Sequence, residues 1–412
     1  HWKDQAVFVL VQTALSLWRF PQLYRLRRIH RKKTVITKLV VGCSLSLPFS
    51  SLFHLHSNDK RQAMVALIAI SLFTFLFLQA EESPSIYQRM DRNNSTDKIA
   101  EVDKDWAYSG VAGETKSEYA SSLSRILPVF EADHALQISP DSFPLIAIKL
   151  DTRLAPGIQT SRNLLDSILE WLNTRGYEKK DIVLFDREKD GLKEAGFISE
   201  EQGTLYKGYR VLHSLDEEYF MDGWFHDSPL PPTSFDRAKY ILKFPAEPKR
   251  RQLEERKSYL PALLFKDAFW INLAVPMDDV FLGVDGAAAN ISLGSVNNYG
   301  RFLQKKTMAP ATVAEIMAIP EIWEKRIFSI LDFSNYQVAN GQRFDSKYTE
   351  KQNRFYLSRN PFSLDFIAWK TINSMRDKRK LSRRELNNSL LFRYAQELGL
   401  GVVRNTQVKY FE

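Results

Sequence analysis

Apolar positions along the chain follow two regimes, and the change between them lies near residue 80. Before it, Met64 to Leu78 reads MVALIAISLFTFLFL, fifteen residues without a charge, with Lys60 and Arg61 ahead and Glu81-Glu82 behind. A basic flank, an apolar stretch and a small residue before an acidic start form the pattern of a secretory signal or signal-anchor. Beyond it, short apolar runs alternate with amphipathic ones. Leu145 to Leu150 (LIAIKL) predicts a strand, and Ser161 predicts the N-cap of a helix to Thr174. Leu164, Leu165, Ile168, Leu169 and Leu172 are that helix's inner stripe and Gly176 its stop. Further strands are predicted at residues 181–185, 209–212, 269–275, 327–331 and 355–357. Helices are predicted over 117–130, 188–195, 284–296 (on its Ala/Gly content) and 389–397, and another opens at Asn360-Pro361. Gly223 to Ser234, with three prolines, reads as irregular.

Strands that are apolar throughout, rather than alternating, are strands buried on both faces. The predicted class is therefore α/β: a mainly parallel sheet covered by helices on both faces, preceded by an N-terminal hydrophobic membrane segment. The expected organisation is a basic, apolar membrane or signal segment over 1–80, a polar linker over 81–104, and an α/β globular domain over 105–412. Arg25, Arg27, Arg28, Arg31, Lys32, Lys33 and Lys38 should stay cytoplasmic by the positive-inside tendency. If only residues 63–80 cross or are cleaved, the domain lies outside the cytoplasm. If residues 39–55 cross as well, it returns inside. The expectation is a membrane-associated chain with an extracytoplasmic domain.

Charge sharpens that division. Residues 1–80 hold eleven Lys/Arg against two Asp/Glu, whereas residues 81–412 hold 46 against 47. The net charge of +8 thus belongs to the N-terminal segment, and a nucleic-acid-binding face on the domain has no compositional support. The basic run Lys249 to Lys257 is interleaved with Glu254 and Glu255, as on a solvated helix face. One cysteine, Cys43, excludes an intrachain disulfide, a paired-cysteine zinc site and a four-thiolate iron–sulfur cluster. Beyond residue 80 only His134, His213 and His226 remain, none at helical metal-ligand spacing. No G-x-S-x-G turn, dinucleotide-binding G-x-G-x-x-G or phosphate-binding G-x-x-x-x-G-K-[ST] is present.

Ligands of open parallel sheets bind beyond the carboxyl ends of the strands. Those ends carry Asp151, Asp186, Asp278 and Asp279, Asp332, and Asn360. Carboxylates gathered on one edge can hold a hard cation such as Mg²⁺, bind a ribose hydroxyl, or divide acid and base roles. Aspartates also cap helices and end strands for purely local reasons. Asp278 and Asp279 are the candidate metal ligands; Asp151 and Asp186 are candidate ligand-binding groups. Lys149, flanked by apolar residues, either enters the crevice to meet an anion or snorkels at an edge.

The order of segments over roughly residues 140–402 resembles the Domain of Unknown Function 362 family. The matching pieces are Ile146-Ala147-Ile148-Lys149, Thr160-Ser161, Asn272-Leu273, Gly283 to Asn290 (GVDGAAAN), Ile330-Leu331-Asp332, Ser358 to Asp365 (SRNPFSLD) and Gly399-Leu400-Gly401. The resemblance implies an α/β domain and, by position, Lys149, Asp285, Asp332 and Asp365 as candidate catalytic groups, with Asn272 and Asn290 as candidate ligand contacts. The ferredoxin cysteines of many relatives are missing. In place of a Lys-Thr-His after the Asn-Leu strand stands Val275-Pro276-Met277-Asp278. If Asp285 and Asn290 share one helix, they point to different sides. Two functions follow as expectations: an enzyme binding a small polar or anionic ligand at the strand ends, with or without a divalent cation, or a non-catalytic binding or scaffolding module tethered at the membrane.

Overall fold

The apolar runs at 145–149, 182–185, 268–274, 326–332 and 355–358 are strands that bury both faces, and none of them has an exposed position. The computed structural model describes residues 106–201, 203–227, 257–304, 308–384, 390–401 and 406–411, all within one unit, Ala100–Glu412. The expected membrane segment, the linker and most of the basic run at 249–257 lie outside the described residues. In chain order the elements are β1 (Trp106–Gly110), α1 (Lys116–Asp133), β2 (Leu145–Lys149), α2 (Arg162–Thr174), β3 (Ile182–Phe185), α3 (Lys189–Glu194), β4 (Leu205–Tyr206) and β5 (Tyr209–Leu212). They continue with β6 (Phe220–Asp227), β7 (Lys257–Pro261), β8 (Ala268–Ala274), β9 (Met277–Asp279), β10 (Gly283–Asp285), α4 (Ala287–Ile291), α5 (Met308–Met317) and α6 (Pro320–Trp323). The last are β11 (Arg326–Asp332), β12 (Tyr336–Gln337), β13 (Thr349–Glu350), β14 (Phe355–Ser358), α7 (Pro361–Lys378), α8 (Leu390–Glu397) and β15 (Gln407–Tyr410).

The fold is mixed α/β, built on a large, mostly parallel sheet. Nine strands lie in the order β15-β1-β14-β11-β8-β2-β3-β5-β4. From β11 to β5 every neighbouring pair is parallel; β14 and β4 run antiparallel to their neighbours, and β15 joins β1 in parallel. The pleat sends alternate residues to two apolar clusters. Ile146 and Ile148 of β2 pack with Leu123 and Phe130 of α1 and Leu165 and Ile168 of α2. Ala147, between them, belongs to the opposite cluster with α4, α5, α7 and α8. From β2 the chain runs outward through β3 to β5, then returns to lay β8 on the other side of β2 before β11. The carboxyl ends of β2 and β8 therefore flank the topological switch point, where such sheets open a crevice.

Local chemistry accounts for most boundaries. The Ser161 hydroxyl accepts the Leu164 N–H at 3.4 Å, and Gly176 ends α2 in the left-handed region at φ +92°. The Asn360 side chain accepts from Phe362 N at 3.0 Å, with Pro361 at the first helical position of α7. The helix expected over 284–296 is corrected to five residues, Ala287–Ile291. Residues 283–285 before it are strand β10, pairing antiparallel with β9. The Asp365 carboxylate fixes the start by accepting Ala287 N (2.6 Å) and Ala288 N (3.1 Å). Gly286 makes this approach possible, because a Cβ there would stand 2.4 Å from Asp365 Oδ1. The expected irregular stretch from Gly223 is also corrected, since β6 extends to Asp227 and pairs with β7. No helix among the described residues is long and apolar enough to cross a membrane.

Ile148 is fully buried between β2 and its helices. Ile148→Ala should lower unfolding free energy by about 3 kcal/mol through lost transfer energy and the cavity left behind. A urea titration showing a loss below about 1 kcal/mol would mean that this core collapses around the gap.

Candidate functional site

A lysine at the last position of an otherwise apolar strand has to be compensated, and three acceptors surround it. Lys149, with no exposed surface, donates to Asp186 Oδ1 (2.6 Å), the Leu150 carbonyl (2.7 Å) and Asn290 Oδ1 (3.0 Å). That uses all three ammonium protons. Asp186 is saturated in turn: Oδ1 also accepts Arg187 N at 2.7 Å, while Oδ2 accepts Thr152 N at 2.9 Å and Thr152 Oγ1 at 2.5 Å. From Asn290 the chain of bonds continues to Asn272 Oδ1 (2.8 Å), and Asn272 Nδ2 reaches the Ala287 carbonyl (2.8 Å) and Ser329 Oγ (3.3 Å). One buried polar network thus ties β2, β3, β8, β11 and α4 together at the switch point.

Above the network lies a narrow cleft whose polar lining is Asp151, Arg153, Asp186, Arg187, Glu188, Asp285 and Asn290. Its volume of about 10 Å³ suits a single water. Arg153 forms its mouth, pairing with Asp285 at 2.5 Å while its side chain keeps 25% exposure. Arg187 is clamped by the Leu293 and Val296 carbonyls, both at 3.2 Å, and lies 3.8 Å over the Tyr299 ring. The Asp151 carboxylate accepts Val275 N at 3.2 Å, which holds the β2 end against the β8 end. Burial pushes its carboxyl up to about 6, against the opposing pull of Arg153 and with Asp285 adding to the rise.

The structure therefore brings Lys149, Asp151, Asp186, Asp285, Asn272 and Asn290 to one place. Asp285 and Asn290 both line the cleft, contrary to the expectation of opposed sides, because Asp285 stands on β10 and only Asn290 on α4. The other aspartates serve elsewhere. Asp332 accepts Tyr119 OH (2.7 Å) and Ser334 N (2.9 Å), tying β11 to α1. Asp365 caps α4; burial pushes its carboxyl up to about 8 against the two N–H donors. Asp278, with no exposed surface, is gripped by Arg384 at 2.7 and 2.9 Å and by Arg376 at 3.1 Å. Asp279 accepts Phe281 N, Leu282 N and Gln342 Nε2. Successive residues of β9, these two aspartates project to opposite sides and do not converge on one ion. Among the described residues no group of three or more His, Cys, Asp or Glu is placed to hold a metal.

Arg153, Arg187 and Thr152 were not among the predicted site residues. The available signal was position, since each lies within four residues of the end of β2 or β3, where the crevice of such a sheet opens.

No protein-family model and no curated protein matches the chain. Among solved structures it is similar to a structural-genomics crystal structure of a protein from Thermotoga maritima, 12% identical, with a TM-score of 0.33. The match covers 65% of this chain and 60% of that one. A likeness at that score carries no argument about fold or function.

Removing one partner of a buried charge pair strands the other. Lys149→Met should cost about 3–5 kcal/mol in urea unfolding, and the double variant K149M/D186N should recover part of the loss. A double variant no better than the sum of its single changes would refute the pairing. Because the folded Asp151 carboxyl is raised above its ordinary value of 3.8, the native state holds its proton longer. Its contribution to stability is full below about pH 4 and is lost as pH rises through about 6. D151N should flatten that part of the profile of melting temperature against pH, and an unchanged profile would contradict the shift.

Proposed function

We propose that this chain is a membrane-associated α/β protein whose globular domain binds a small polar or anionic ligand at the carboxyl ends of the central strands. The observation that carries this reading is the Lys149–Asp186–Asn290–Asn272 network under the cleft. A buried ion pair is poor value as a source of stability, since desolvation offsets most of its attraction. Its position at the switch point gives it another use. It holds the cleft floor rigid while Asp151, Arg153 and Asp285 offer both donors and acceptors at the mouth.

A ligand anion displaces Asp285 from Arg153, widening a cleft that otherwise suits one water. Asp151, whose carboxyl is pushed up to about 6, can exchange a proton near neutral pH, and this supports an enzymatic form of the reading. A divalent cation such as Mg²⁺ enters only with a ligand whose own oxygens complete its coordination. Membership of the Domain of Unknown Function 362 family is part of the proposal, supported by the ordered motif pieces in the sequence. The membrane link rests on the apolar run Met64 to Leu78 and the concentration of positive charge ahead of residue 80. A non-catalytic scaffolding module is the second reading; the full hydrogen-bond saturation of Lys149 and the narrowness of the cleft favour it.

Thermal shifts across a panel of polar metabolites, with and without Mg²⁺, separate the two. Binding should raise the melting temperature of the wild type, and Arg153→Met should abolish that rise while leaving the unliganded protein folded. Silence across the panel would leave the scaffolding reading. A reporter fused at the C-terminus tests the expected extracytoplasmic side.

A further inference from the structure

A second concavity lies apart from the strand-end cleft and shares no lining residue with it. It is bounded by α7, which contributes Lys370, Thr371, Ser374, Met375 and Lys378, and by Tyr336 of β12 with Lys351 and Gln352 beyond β13. Its volume is about 550 Å³, within the range of small-ligand sites. Helical spacing brings Thr371, Ser374 and Lys378 to one face of α7.

The charged residues that line it are all cationic: Lys351, Lys370 and Lys378. No acidic residue lines the concavity. Glu350, the cross-strand neighbour of Tyr336, is paired with Arg379 at 2.6 Å, and Asp377 is paired with Arg383. Lys351, Lys370 and Lys378 have no acidic partner among the described residues; Lys370 lies 4.4 Å over the Phe366 ring. At the floor stands Tyr336, only 2% exposed. Its ring packs edge-on against Phe333 at 5.1 Å, yet its hydroxyl has no hydrogen-bond partner among the described residues. The Tyr336 side chain lines the hollow, and its hydroxyl, not hydrogen-bonded to another described residue, is free to donate to a bound oxyanion. The Thr371 and Ser374 hydroxyls and the Gln352 amide add neutral donors.

We propose that this concavity binds a phosphate group, the oxyanion able to take several donors at once, with lysines at the rim and Tyr336 at the floor. The same chemistry occurs in a soluble phosphate ester and in an anionic phospholipid headgroup. The full chain in neutral detergent, titrated with inorganic pyrophosphate, tests the first source; its binding to phosphatidylcholine vesicles with and without phosphatidylglycerol tests the second. In whichever arm responds, Lys351→Glu with Lys378→Glu should weaken binding by about tenfold or more, and the isosteric Tyr336→Phe by several-fold. A pyrophosphate response alone assigns a soluble ester, and a phosphatidylglycerol-dependent response alone assigns a headgroup. A response in both assigns the shared group. Silence in both arms overturns the proposal. So does a response that the lysine variant loses and Tyr336→Phe keeps, because diffuse charge then explains it.

Discussion

Burying one ammonium in the middle of a sheet constrains everything around it. An uncompensated charge at that depth is too costly to persist, so the neighbouring elements must supply acceptors in fixed places. The residue after β3 supplies Asp186, α4 supplies Asn290, and the turn after β2 supplies the Leu150 carbonyl. Each of these has its own requirements. Asp186 depends on the Thr152 and Arg187 amides, and Asn290 depends on Asn272 in β8. The brevity of α4 belongs to the same scheme. Asp365 sets its first residue, which fixes where Asn290 falls four positions after Gly286 and brings its amide against the lysine.

Much of the sheet was legible because buried strands are apolar on both sides and their helices carry ordinary stop and start residues. The helix from Ser161 to Gly176 is the clearest case: one hydroxyl, one leucine stripe and one glycine define it locally. The small sheet of β9, β10, β12 and β13 was not legible, since strands of two or three residues carry no period and their pairing is decided by tertiary partners. The stretch from Val284 misled for a related reason. Alanines favour a helix, but only a carboxylate more than seventy residues further along decides where the first turn begins.

The acidic rim was legible in part. Chain position placed Asp151 and Asp186 at the crevice correctly, because strand ends of a parallel sheet share an edge. It could not separate them from Asp278, Asp279 and Asp332, whose roles depend on Arg384, on a local turn and on Tyr119. No spacing rule connects Asp278 to an arginine in the segment after α7. The two arginines of the cleft are illegible for the converse reason, since a lone arginine close after an aspartate has no pattern of its own.

The outer part of the large sheet has a consequence for how the chain matures. β1, the first strand described, finds both its partners in β14 and β15, beyond residue 354. During synthesis on a ribosome it must wait until the chain beyond residue 354 has been made before it can be paired, while β2, β3 and β5 can already assemble behind it. Until then Trp106 to Gly110, whose last four residues are buried in the finished sheet, has its backbone N–H and C=O groups unpaired and open to non-native strand pairing.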